Sequence, residues 1–124
     1  MAGTVVASVV KNDTTSPPAF QNSAGTEIGR LCRAWVNFAG STGAIAASFN
    51  VSSVTRNSTG IYTVNFTNAM PDTNFAGFYT NGQNAVSNNI GNTLYGQTVS
   101  SVTCAHWESN ANSDVALNYV AIFR

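Results

Sequence analysis

Charge is scarce in this chain. Only 8% of its 124 residues are Asp, Glu, Lys or Arg, against roughly a quarter in an average soluble protein. Lys11, Arg30, Arg33, Arg56 and Arg124 are the only basic residues, and five acids bring the formal charge to zero. A protein that wraps nucleic acid needs clustered Lys and Arg to neutralise phosphates, so no nucleic-acid partner is expected. Long apolar runs are also missing, which excludes a membrane-spanning helix. The N-terminus shows neither the basic start nor the apolar stretch of a secretory leader, and no membrane partner is expected. Cys32 and Cys104 are the only cysteines and His106 the only histidine, too few for a four-ligand zinc site. The thiols read as small buried hydrophobes; whether they pair depends on a Cα separation that sequence does not reveal. No segment carries a helical period.

What replaces the charge is Asn, Ser and Thr, about a third of the chain, the composition of polar turns between strands. Seven Phe, four Tyr, two Trp and many Val run through it, enough apolar surface to rule out disorder. Strands are expected at Val5–Val10, Leu31–Phe38, Ala44–Ala47 with Phe49–Arg56 (as one strand or two), Ile61–Thr67, Asn74–Thr80, Thr93–Trp107 (as one strand or two) and Val115–Phe123. In Leu31–Phe38, Cys32, Ala34, Val36 and Phe38 share one face; Leu31, Arg33, Trp35 and Asn37 share the other, where Trp35 has a second surface to pack against. Tyr62, Val64 and Phe66 share a face of the following hairpin, and Asn57-Ser58-Thr59-Gly60 is its turn, with Gly60 free to take positive φ. In the last strand, Val115, Leu117, Tyr119, Ala121 and Phe123 line one face. Residues 81–92 hold five asparagines and two glycines and read as an exposed loop. The expected fold is an all-β, antiparallel sandwich or barrel of one domain. Residues 1–29 form an N-terminal strand and extended arm, where Pro17-Pro18 exclude a central strand, and residues 30–124 form the core.

Monomeric β-proteins guard their edge strands with Lys, Pro or inward charge. Here most strands carry none, so either the sheet closes on itself or neighbouring copies cover the edges. The second is the expectation, because a flat, uncharged Ser/Thr/Asn surface suits close subunit packing. Val5, Val6, Pro17, Pro18, Phe20, Glu27, Arg30, Arg33 and Trp35 are the candidate interface residues, with Glu27, Arg30 and Arg33 available for ion pairs between subunits.

The stretch from Ala24 to Asp72 adds a specific signal. RAWVNF (Arg33–Phe38), SFNVSSVT (Ser48–Thr55), NSTG (Asn57–Gly60) and YTVNFTNAMPD (Tyr62–Asp72) follow one another in that order. This succession resembles a domain of tail-fibre and other virion structural proteins of tailed bacteriophages, especially those infecting cyanobacteria. The resemblance implies a β-rich, trimeric module on the virion exterior. Fibres also carry an anchoring domain and a shaft. Here the module stands almost alone after Met1, which shifts the expectation toward a capsid decoration or cement protein.

Chemistry has few candidates. A Ser-His-Asp arrangement would have to use His106 and Asp114, with no nucleophile elbow in the sequence. His106 is expected at a strand end or subunit contact, titrating near pH 6.5. A glycosidase pair would have to draw on Asp13, Glu27, Asp72, Glu108 and Asp114; the nearest two, Glu108 and Asp114, flank a Ser/Asn loop and read as solvated turn acids. Asp72 beside Asn68 and Asn74 is a thin calcium set. Asn12, Asn50, Asn57 and Asn65 each open an N-x-Ser/Thr triplet, at the frequency such a composition produces. Tyr79, Tyr95 and Trp107 form either a sugar-stacking platform or part of a core. Asn84, Asn88 and Asn89, with Tyr95 and Trp107, make up the candidate binding loop.

The expected function is therefore non-enzymatic, with no cofactor: a homotrimer on the virion surface, bound to the major capsid protein and stabilising the shell. The alternative is a tail-fibre tip or adhesin that binds a host surface glycan and contacts tail proteins.

Overall fold

The computed structural model describes residues 3, 6, 7, 9–11, 18, 20–82 and 89–124. Val5, Pro17, Asn84 and Asn88 lie outside the described residues. Among those described, the chain is all β, with eleven antiparallel strands in three sheets and no helix.

The chain divides into two units, residues 1–31 and 32–124. In the first, β1 (Phe20–Gln21) pairs with β2 (Glu27–Gly29). Their turn is organised by Asn22, whose Oδ1 accepts from the Ala24 and Thr26 amides, each at 3.0 Å. Glu27 and Arg30 pair with each other at 2.6 Å within this unit. Val6, Ala7, Val9 and Val10, from the expected first strand, belong to no strand. Phe20, Ile28 and Leu31 are exposed and Pro18 is half-buried, so the described part of this unit encloses no core.

The second unit holds the core. β3 (Cys32–Phe38), β4 (Ile45–Phe49), β7 (Ala76–Gly82) and β11 (Leu117–Phe123) form a sheet in the order β4-β3-β11-β7. The other sheet contains β5 (Val51–Ser58), β6 (Ile61–Phe66), β8 (Ile90–Tyr95), β9 (Ser101–Glu108) and the short β10 (Ala111–Asn112). There β9 lies between β6 and β8, and β10 pairs with its last two residues. Side chains on a strand alternate between faces, and each sheet turns one apolar set inward. Ala34, Val36, Phe38, Val120 and Ile122 come from the first sheet; Val51, Tyr62, Val64, Phe66, Val102 and Cys104 come from the second. Phe38 meets Tyr62 edge-to-face at 5.0 Å, and Phe66 meets Phe75 at 5.9 Å. The result is a β-sandwich.

Two positions explain how the chain turns. Asn50 sits at φ 55° between β4 and β5, where the chain passes from one sheet to the other. Its side chain donates to the Arg33 and Asn68 carbonyls and accepts from the Asn68 amide at 2.7 Å. Gly60 closes the β5–β6 hairpin at φ 67°, a conformation that glycine adopts without steric cost.

Of the expected exposed loop at 81–92, residues 83–88 lie outside the described residues, and both flanks are strand. β7 continues through Asn81 and Gly82, and β8 already begins at Ile90. Asparagine is tolerated there because Asn81 and Asn92 bond to each other across the sheets at 3.1 Å. The long segment 93–107 resolves into two strands, broken at residues 96–100. In β11 the core takes Asn118, Val120 and Ile122, while Leu117, Tyr119, Ala121 and Phe123 face outward.

Ile122 is fully buried. Ile122→Ala should cost about 2–5 kcal/mol, seen as a lower urea midpoint at unchanged slope.

Candidate functional site

The sandwich has two outer faces of opposite chemistry. On the β4-β3-β11-β7 sheet, the registers Phe49↔Trp35, Trp35↔Ala121 and Ala121↔Phe78 align four side chains in one row. Phe78 is 68% exposed, Phe49 55% and Trp35 40%. Phe123 joins them, edge-to-face with Phe78 at 6.2 Å. Arg33 is the only charged residue in these four strands. The edge strands β4 and β7 have no charge and no proline, so nothing in them discourages pairing with another chain. Between the aromatic row and the next row, Asn37–Tyr119–Thr80, lies a hollow of about 350 Å³ with Ala121 in its lining.

The outer face of the other sheet is hydroxyl- and amide-bearing. The registers Ser53↔Asn65↔Ser101 and Thr55↔Thr63↔Thr103 run across β5, β6 and β9. Asn65 donates to Ser53 Oγ at 3.1 Å, and Asn57 donates to Thr63 Oγ1 at 2.8 Å. Trp107 lies against Gly91 on this face, its indole so close that a Cβ at position 91 would sit 1.9 Å from the ring. The glycine leaves room for the ring, and the ring covers backbone the glycine would expose. Tyr95 is on the same face but pairs at Thr103, four residues from Trp107, about 13 Å along the strand. Asn89 bonds to Asn110 at 2.8 Å near the Trp107 end. Trp107, Tyr95 and Asn89 therefore do not converge on one spot. Tyr79, the third aromatic of the expected platform, packs against the core and donates to Asn118 Oδ1 at 2.7 Å.

The residues singled out for catalysis occupy separate structural networks. His106 is fully buried, the third residue from the end of β9. Its Nδ1 lies 2.8 Å from Asn81 Nδ2 and 2.8 Å from Asn92 Oδ1, accepting from the first or donating to the second according to tautomer. Burial lowers its pKa below the usual 6.5, against an opposing pull from Glu108. Asp114, expected as a solvated turn acid, is a junction instead. Arg56 approaches its carboxylate at 2.6 Å, the Gly60 amide donates at 2.8 Å, and the Tyr62 hydroxyl donates at 2.7 Å. Burial works to raise the Asp114 pKa, but the bonds from Arg56, Gly60 and Tyr62 outweigh it and hold the carboxyl at about 2. Sequence reasoning missed this junction because Arg56 and Asp114 are 58 residues apart. The one available signal was that Arg56 is the sole charge in its strand.

Asp72 accepts from the Asn74 amide at 2.8 Å and pairs with Arg124. That arrangement ties the chain end to a turn. Among the described residues, no group of three or more His, Cys, Asp or Glu gathers to hold a metal ion. Cys32 and Cys104 are both free thiols, and burial pushes Cys104 up to about 12, so it stays protonated at neutral pH.

Acid should destabilise the fold in two stages. The folded His106 pKa lies below 6.5, so the unfolded chain binds the proton first. Stability is full above pH ~6.5 and falls as pH drops toward the folded value. The Asp114 contribution is present above its ordinary 3.8 and is lost as pH falls toward about 2. Urea titrations from pH 7.5 to 2 should show both losses. His106→Gln should remove the upper one. Asp114→Asn should remove the lower one and cost about 2 kcal/mol at pH 7.

Compared with protein-family models, with curated proteins and with solved structures, the chain matches none.

Proposed function

We propose that this chain is a non-enzymatic structural protein of the virion surface of a tailed phage. It works in many copies as a capsid decoration protein that stabilises the shell. The observation that carries the assembly part of the reading is the aromatic face of the β4-β3-β11-β7 sheet, with Arg33 its one charge and two unguarded edges beside it. The largest apolar patch of a monomer, on the order of 300–600 Å², is often a functional surface. The virion context comes from the ordered sequence blocks between Arg33 and Asp72. A flat sheet face suits lateral seating on a lattice of identical subunits, where each copy adds a modest contact. A homotrimer contacting the major capsid protein is the arrangement we favour.

One observation favours a second reading, a fibre-tip module that binds a neutral host glycan. The opposite sheet presents Ser, Thr and Asn side chains with Trp107 and Tyr95 on the same side. Aromatic faces and neutral hydrogen-bonding groups together match the alternating apolar and polar faces of a pyranose. The separation of Tyr95 from Trp107 places this reading second.

Quantitative mass spectrometry of purified particles tests both readings. A decoration protein should appear in hundreds of copies per virion, near parity with the major shell subunit. A few dozen copies or fewer would move it to the tail, and absence from purified particles would overturn the virion reading.

A further inference from the structure

We propose that the aromatic face of the β4-β3-β11-β7 sheet binds a second copy of this chain, with Phe78 of one copy entering the hollow beside Ala121 of the other. The inference deepens the assembly reading above and rests on it.

Three features of this face select a copy of the same chain as the occupant. The first is that projection and recess occur side by side. Phe78 is the most exposed of the aromatics here, at 68%, and stands on the rim of a hollow of about 350 Å³ lined by Trp35, Tyr119 and Ala121. A cavity of roughly 150 Å³ takes up a benzene ring, so the hollow has room for a phenyl group. Its depth has a definite origin: Ala121 is the one small residue in a row that otherwise reads Phe49, Trp35 and Phe78. A surface carrying both a knob and the matching hole is complementary to itself. Such a surface pairs copies about a two-fold axis or head to tail in a ring.

The second feature is charge. With Arg33 the one charge in four strands, two identical faces meet with little of the like-charge repulsion that penalises self-association of most protein surfaces. A partner chosen for opposite charge would find nothing to read. The third feature is area. At 150–250 Å² per aromatic side chain, the exposed fractions of Trp35, Phe49, Phe78 and Phe123 amount to on the order of 400 Å². With the polar side chains around it, that forms the apolar centre of a standard interface of about 800 Å² per partner.

Sedimentation equilibrium of the full chain between about 1 and 500 µM, with two variants, tests the pairing. The wild-type chain should sediment at a multiple of 13.0 kDa. Phe78→Glu removes the knob from an exposed position and should shift the chain to monomer, weakening association at least tenfold while far-UV circular dichroism is unchanged. Ala121→Phe fills the hole. If the contact is knob-into-hole, association weakens at least tenfold again; if the face is only generally sticky, the added ring strengthens it, and the proposal fails. Association of Phe78→Glu at wild-type strength would also overturn it. A wild-type chain that stays monomeric to 500 µM would overturn the pairing and leave this face to a shell protein or a sugar. Copy number in the particle is independent of these results, so a virion protein that is monomeric in solution would defeat the pairing and not the functional reading.

Discussion

The structure depends on a constraint of strand geometry: successive side chains point to opposite sides of a sheet, so every strand must serve two environments at once. The inward set here is closed by contacts between sheets, with Phe38 against Tyr62 and Val36, Val64, Val102 and Val120 filling the layer around them. A slip of one residue in any strand would exchange this set for the outward one. In β5, β6 and β9 the exchange would bury Thr55, Thr63 and Thr103, and the cost of burying their hydroxyls holds the register. In β3 it would bury Arg33 and Asn37 along with Trp35. In β7 and β11 it would bury Phe78 and Ala121, which are nearly as apolar as the residues they would replace. There the register is held by the polar residues that do face inward. Asn118 donates to the Val115 carbonyl and accepts from Tyr79; Asn81 bonds to Asn92 and contacts His106.

The few charges follow a related logic. Arg56 and Asp114 join the β5–β6 hairpin to the segment leading into β11, and the carboxylate also accepts from the Gly60 amide and the Tyr62 hydroxyl. Tyr62 reaches from the apolar core to this junction, so packing and the ion pair reinforce each other through one side chain. Burial and the Asp114 bond both raise the phenol pKa and keep its proton in place as the donor. Asp72 and Arg124 do similar work at the end of β11. Apart from Arg33 on the aromatic face, the sheet faces carry mainly apolar groups on one side and neutral polar groups on the other. That division underlies the assembly proposed for this chain.

Much of the fold was legible in the residues. The alternation in Cys32–Phe38 and Ile61–Phe66 assigns the core face correctly, because in those strands the two sets differ sharply in size or polarity. The turn at Ser58-Thr59-Gly60 was visible because only a few residue types accept its backbone. Trp35 was identifiable as an outward aromatic for the same reason of parity. The last strand was different: Leu117, Tyr119, Ala121 and Phe123 form the more apolar set, yet Asn118, Val120 and Ile122 line the core. Nothing local to that strand shows that Tyr79 waits across the sheet to satisfy Asn118. Local composition misled at Asn81 and Asn92 in the same way, since asparagine in a strand reads as loop until its partner is known.

The sequence by itself determined that this chain is β-built, poor in charge and composed of short strands with Asn- and Gly-bearing turns. Those properties are set by period and residue type over a few neighbours. The tertiary structure alone decided which half of each two-sided strand is buried, that His106 lies inside, that Asp114 joins Arg56, and that Phe49, Trp35, Ala121 and Phe78 fall in one row. Each of these is a meeting of residues distant in sequence, fixed by strand order and register. Local preference carries no information about either, because the free energy that selects them appears only when the two sheets close on each other.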